Sequence, residues 1–213
     1  HKSSHSFPTR RSSDLFSMGV QVNVEWTRTN PGRAAAHVYM LGVPRNPMHR
    51  TVVLRKRAAR IAEGIAVGAR PLLHLIQPAT RAALRTPITY VLARSLGVVR
   101  EGCPFGEFSD FVRYATAVPL DAYLRCCAGL LEHDATDAFL RVQEPVLMMA
   151  GEHDVFIDYD DVKAFAELHP RAKFEPLSCA SHAGSLEYGT FVAGRVRAFI
   201  DRNVPRLAPS AAA

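Results

Sequence analysis

The run Glu144-Pro145-Val146-Leu147-Met148-Met149-Ala150-Gly151-Glu152-His153-Asp154 constrains the fold of this chain more than any other stretch. Five consecutive apolar residues closed by a glycine turn read as a strand buried on both faces, which is the mark of a parallel sheet covered by helices. Sheets of that kind collect ligands and reacting groups at the carboxyl ends of their strands. Glu152, His153 and Asp154 are delivered to that end. Two more strands are expected, at Ala34–Leu41 ending in Gly42, and at Ala172–Leu177 before the loop Ser178-Cys179-Ala180-Ser181-His182-Ala183-Gly184. Helices follow them: one running to Leu168, opened by Asp158, Asp160 and Asp161 where acidic side chains suit the helix dipole. A C-terminal helix carries apolar residues at Val192, Val196, Phe199 and Ile200. The alternation makes this an α/β protein.

At 213 residues, with 48% apolar and 22% charged residues, the chain has room for one sizeable core and is too apolar for general disorder. Its formal charge is +6, of which the first fifteen residues supply +2 through Lys2, Arg10 and Arg11 against Asp14. Cys103, Cys126, Cys127 and Cys179 show neither metal-ligand spacing nor a disulfide framework, so reduced thiols and a cytoplasmic location are expected. Gly64, Gly68, Arg70 and Pro71 interrupt the most apolar helical run, Ile61 to Ile76, so no membrane span is expected. No signal-peptide pattern appears, although a leader upstream of the present start stays open.

From Met48 to Arg141 there is no convincing strand. Helical segments are punctuated at Pro71, Pro78, Pro87, Gly97, Gly102, Pro104 and Pro119. The aromatic residues Phe105, Phe108, Phe111, Tyr114, Tyr123 and Phe139 in this region are expected to pack its own core rather than touch a substrate. It opens with Arg45, Arg50, Arg55, Lys56, Arg57 and Arg60 and has no acidic residue before Glu63. Such a face is ordinarily solvated, and no nucleic-acid-binding motif accompanies it.

The opening is of a different character. His5 to Leu15 (His-Ser-Phe-Pro-Thr-Arg-Arg-Ser-Ser-Asp-Leu) resembles one reading frame of a common sequencing adapter, over eleven consecutive residues. Residues 1–15 are therefore expected to be an artefactual, disordered leader and are set aside from the fold.

Immediately after it, Phe16-Ser17-Met18-Gly19 matches the last four positions of Gly-x-Ser-x-Gly, with Leu15 standing where the first glycine belongs. From Phe16 to Pro205 the chain resembles the α/β-hydrolase fold family. The resemblance implies the C-terminal part of that fold: sheet strands six to eight with flanking helices, and a helical cap insertion. The expected division is core at 16–47 and 142–205, cap at 48–141, and a disordered tail at 206–213. The strand leading into Ser17, and those before it, are expected to be absent. The family's chain order of nucleophile, acid and base assigns Ser17, Asp154 and His182. Met18 would give one backbone N–H to an oxyanion hole.

Rivals for the acid are Glu152, Asp158, Asp160 and Asp161. The loop Gly42-Val43-Pro44, where some relatives carry the acid, has none. His153 is the nearest rival base, and Cys179 is expected to be a packing residue. The resemblance implies a serine hydrolase acting on a small-molecule carboxylic ester or related acyl substrate, with no metal or organic cofactor. Hydrolytic carbon–carbon cleavage and peroxidase-like activity are narrower options. Lacking the leading strand and the second oxyanion donor, this chain is expected to be poorly soluble and nearly inactive. The alternative from another class is a non-catalytic binding module whose basic cap receives an anionic partner. Oligomeric state is not legible.

Overall fold

A computed structural model describes residues 11–47 and 52–204. The buried strand expected at 146–151 is β3 (Val146–Gly151), and every residue of it is buried. It lies between β2 (Ala34–Met40) and β4 (Ala172–Leu177), and β2 pairs on its other side with β1 (Arg11–Phe16). The four strands run in the order β1-β2-β3-β4, and all three pairings are parallel.

Side-chain alternation sorts the core into two layers. Val146, Met148 and Ala150 of β3 and Tyr39 of β2 face α1 (Gly19–Thr29), α7 (Thr136–Leu140) and α8 (Tyr159–Leu168), packing with Val20, Val24, Phe139, Val162 and Phe165. Leu147 and Met149, with Ala36 and Val38 of β2, face α10 (Gly189–Asn203) and meet Val192 and Phe199. Asp158 caps α8 by accepting the Asp160 N–H at 2.9 Å, which explains the acidic cluster there.

Between β2 and β3 the chain leaves the sheet as helices α2 (Val52–Gly68), α3 (Arg70–Leu84), α4 (Pro87–Ser95), α5 (Phe105–Ala115) and α6 (Leu120–Glu132). Proline opens α3 and α4, where a missing N–H costs nothing. Helix α3 turns its polar stripe inward. Gln77 donates to the Val118 carbonyl and Arg81 to those of Thr116 and Ala117, while Leu72, Leu75 and Ile76 point outward.

Two expectations need correction. Arg11 to Leu15 are not a disordered leader: with Phe16 they form β1, in register with β2 from Ser12 opposite Ala36 to Phe16 opposite Met40. The strand leading into Ser17 is therefore present. Strand pairing uses N–H and C=O groups that nearly every residue carries, so even an unpromising sequence can satisfy the free edge of β2. The helical insertion also ends earlier than residue 141, because α7 belongs to the sheet core: Phe139 is fully buried against Tyr39 and Phe165. Residues 1–10, His49, Arg50 and the expected tail at 206–213 lie outside the described residues. Among the described residues no helix is long and apolar enough to cross a membrane.

Candidate active site

Ser17 is the first residue after β1, and it sits at φ +53°, a left-handed conformation that costs a non-glycine residue about 1–3 kcal/mol. Two main-chain bonds hold it there. Its N–H donates to the Met40 carbonyl at 2.8 Å, and its own carbonyl accepts the Val20 N–H at 3.0 Å as α1 begins. The turn is tight enough that Gly42 cannot carry a side chain. A Cβ there would collide with the Ser17 carbonyl and stand 2.7 Å from Val20 Cγ2. Met18 lies at the head of α1, where the first N–H groups of a helix have no partner within the helix and the dipole favours negative charge.

Asp154 lies in the loop after β3. Its Oδ1 accepts the N–H groups of Phe156 at 2.8 Å and Ile157 at 3.0 Å, leaving Oδ2 for one further partner. That partner is His182, in the loop after β4, whose Nδ1 lies 2.7 Å away. His182 Nε2 then stands 3.0 Å from Ser17 Oγ. The carboxylate is buried, with 1% of its side chain exposed, and the imidazole is 14% exposed. Phe16 and Phe156 flank the imidazole, each with its ring centroid 5.0 Å from it. Three residues from three strand ends thus form one hydrogen-bonded line. With the Nδ1 proton on the Asp154 side, Nε2 is free to accept the serine proton.

The loops are set by main-chain packing. Gly151 lets the His182 loop close over the end of β3: a Cβ there would lie 2.6 Å from the Ala180 carbonyl oxygen and 2.8 Å from that of Ser181. His153 N–H donates to the Ala180 carbonyl at 2.9 Å, and the residue itself is exposed. Cys179 is exposed at φ +63°, so it is a turn residue and not the packing residue expected. The rival acids are occupied elsewhere. Asp161 pairs with Arg45 at 3.1 Å, Asp158 caps α8, Asp160 is exposed in the first turn of that helix, and Glu152 accepts from the Ser178 hydroxyl and the Cys179 N–H.

Beside the imidazole lies an apolar cavity of about 260 Å³. Phe16, Val98, Val99, Phe108, Phe111 and Leu186 line it together with the His182 imidazole. Phe108 packs in the insertion's own cluster with Tyr90 and Val112, as expected, and together with Phe111 it also lines this cavity. Among the described residues no group of three or more His, Cys, Asp or Glu side chains is arranged to hold a metal ion.

With both sheet and site in view, solved structures give a consistent match. A thermophilic esterase from Thermogutta terrifontis superposes with a TM-score of 0.61 at 17% identity, over 91% of this chain and 65% of that one. A bromoperoxidase from Bacillus anthracis gives 0.62 at 15%, over 89% and 67%. The enol-lactonase from Burkholderia xenovorans LB400 gives 0.60 at 17%, over 91% and 66%. The fold is that of the α/β-hydrolases. The chain spans about two thirds of the length of these structures. No family model matches the sequence, and no match was found among curated proteins.

Several residues around the site were not legible beforehand. Phe156 was a loop aromatic with nothing to mark it. Val98 and Val99 looked like ordinary residues between helices. Glu187 and Ser181 carried no signal, because a Glu at the start of a C-terminal helix is normally solvated and nothing in the pattern shows that this one is buried.

Proposed function

We propose that this protein is a serine hydrolase that cleaves a carboxylic ester or related acyl substrate through an acyl-enzyme, with Ser17 as nucleophile, His182 as base and then acid, and Asp154 as the group that orients His182. The observation that carries the reading is the continuous line Asp154–His182–Ser17, with spacings of 2.7 and 3.0 Å, at the carboxyl ends of β3, β4 and β1.

In the first step Ser17 Oγ attacks the carbonyl carbon and its proton passes to His182 Nε2. The resulting oxyanion receives the Met18 N–H at the head of α1. The tetrahedral intermediate collapses as His182 gives its proton to the departing alkoxide, leaving the acyl group on Ser17. Water then attacks the acyl carbon while His182 takes one of its protons, and the acid leaves as His182 returns that proton to Ser17 Oγ. Asp154 stays hydrogen-bonded to Nδ1 throughout and stabilises the imidazolium formed in each half.

The helical insertion acts as the cap, and the apolar cavity beside His182 receives the hydrocarbon part of the substrate. The second oxyanion donor, in the family that the sequence resembles, comes from a loop after an early strand. Each such donor is worth about 10²–10³ in rate.

The test is phosphonylation of the purified chain by a small alkyl fluorophosphonate, with the modified residue located by mass spectrometry. Modification at Ser17 that vanishes in Ser17→Ala supports the reading. Modification elsewhere, or at an equal rate in Ser17→Ala, sinks it.

A further inference from the structure

Glu187 is a buried carboxyl group that the reaction as written does not use. It ends the short helix α9 (Gly184–Glu187), five residues beyond His182, and only 8% of it is exposed. Among the described residues it has no ion-pair partner. Burying such a group without a cation is costly unless hydrogen bonds replace the lost water. Here they do. Oε2 accepts the Ser181 N–H at 2.9 Å, Oε1 accepts the Arg100 N–H at 2.6 Å, and the Ser181 hydroxyl lies against Oε1 as well.

These partners come from two different places. Ser181 is fully buried and directly precedes His182. Its hydroxyl oxygen also reaches the Val98 carbonyl at 2.8 Å and accepts the Ala183 N–H at 3.1 Å. Arg100 belongs to the loop joining α4 to α5, whose Val98 and Val99 wall the cavity beside the imidazole. The same loop approaches the Glu187 main chain so closely that a Cβ on Gly102 would be 3.0 Å from the Glu187 carbonyl oxygen. One carboxyl group therefore grips both the residue before His182 and the loop that closes the cavity. On its other side the His182 loop is held by Gly151, His153 and Glu152, and Glu187 adds a restraint from the side of the helical insertion.

We propose that Glu187 is a positioning residue: through Ser181 and Arg100 it couples the aim of His182 at Ser17 to the seating of the helical insertion over the site. The proposal rests on the reading of Ser17, His182 and Asp154 given above. An imidazole free to swing loses its line to Asp154 and Ser17 together, and an unclamped Val98–Gly102 loop lets water into the cavity.

The experiment uses the 213-residue chain with Glu187→Gln, Glu187→Ala and Ser17→Ala. Circular dichroism checks folding. The hydrogen-bonded Nδ1 proton of His182, seen by NMR in histidine-labelled protein, reports the Asp154 contact. Alkyl fluorophosphonate reports the reactivity of Ser17. Folded Glu187→Ala should lose or broaden the Nδ1 proton signal and be modified at least tenfold more slowly. Glu187→Gln, which keeps an oxygen for one of the two N–H groups, should fall between Ala and the parent. A merely structural Glu187 would lower the melting temperature and leave both readouts intact in the folded protein. If Glu187→Ala does not fold, the near-isosteric Glu187→Gln decides. Variants that fold, retain the Nδ1 signal and react as fast as the parent overturn the proposal. Should the parent itself fail to react at Ser17, the hydrolase reading falls. The Nδ1 signal then still decides this proposal, which holds if Glu187→Gln disturbs that signal and fails if it does not.

Discussion

His182 Nδ1 lies 2.7 Å from Asp154 Oδ2, and the other oxygen of the same carboxylate is held by the main-chain N–H groups of Phe156 and Ile157. The acid is thus fixed by its own loop before it meets the imidazole, and it presents one acceptor in one direction. Asp154→Asn keeps the shape but offers an amide, which can turn its NH₂ toward Nδ1 and force the proton onto Nε2. Ser17 would then face a donor instead of an acceptor. Fluorophosphonate modification of Ser17 is expected to slow by about 10⁴, the scale found when a triad acid is replaced by its amide. The fold should survive, as judged by an unchanged far-ultraviolet spectrum. A rate within threefold of the parent would remove Asp154 from the role.

Gly151 has no room for a methyl group, since its Cβ would press on the carbonyl oxygens of Ala180 and Ser181 at 2.6 and 2.8 Å. Both obstacles are main chain, so relief requires the His182 loop to move outward. Gly151→Ala is expected to cost about 1–3 kcal/mol of stability, the range for forced overpacking, and to slow Ser17 modification beyond what that loss explains. Gly106, in α5 with open space around its Cα, is the control. Gly106→Ala should be neutral or stabilising by up to about 1 kcal/mol, because alanine is the better helix former. Urea denaturation of the two variants measures the contrast.

The parts of this molecule legible in the sequence are those where pattern and chemistry coincide. β3 was readable because an unbroken apolar run ended by glycine suits a strand covered on both faces, and Asp154 followed from its place at that strand's end. Ser17 and His182 were readable from residue type, spacing and order together. β1 was not, because Arg11-Ser12-Ser13-Asp14-Leu15 lacks the apolar alternation that advertises a strand, and its place depends on the edge that β2 offers. That Phe108 and Phe111 also line the cavity was not legible, because periodicity reports which side of a helix is apolar and not what that side faces. Glu187 was invisible for a related reason. Its burial is produced by the close approach of the loop at 98–102, a contact across 87 residues that no local window contains.

Two buried histidines make stability depend on pH. His37, in β2, is fully buried, and among the described residues neither ring nitrogen makes a hydrogen bond. Burial holds its pKa below the ordinary histidine value, against the opposing pull of Glu144, whose Oε2 lies 3.8 Å from Nε2. Burial likewise lowers His169. For a base with a lowered folded pKa, the unfolded chain takes up a proton that the folded one refuses. Stability is therefore full above about pH 7.5, and it falls as pH drops through about 6.5 toward the lower folded value. Each such histidine contributes a slope of at most about 1.4 kcal/mol per pH unit. Urea unfolding at pH 8.0 and pH 5.5 should show the drop, and His37→Phe should flatten part of it. An equal slope in His37→Phe would show that His37 is not a source.

The cavity beside His182 sets what the site can accept. At about 260 Å³ it exceeds the roughly 150 Å³ that holds a benzene molecule in an apolar protein cavity. Among the described residues that line it, none is an Asp, Glu, Lys or Arg. A phenyl group on a short linker, or an aliphatic chain of comparable bulk, fits both its size and its chemistry, whereas a carboxylate would lose its water without gaining a partner. Phe111 guards one side, edge-on to Phe16 at 6.4 Å between ring centroids. Phe111→Ala enlarges the cavity toward the helical insertion and should move the preference toward longer alkyl groups. Phe111→Trp should move it toward shorter ones. The measurement is the rate of Ser17 modification by a series of alkyl fluorophosphonates of increasing chain length, for the parent and both variants. The parent rate should rise with chain length to an optimum and then fall, with the optimum displaced in opposite directions by the two substitutions. A profile that is flat, or that both variants leave unmoved, would show that the reacting group's hydrocarbon part lies elsewhere.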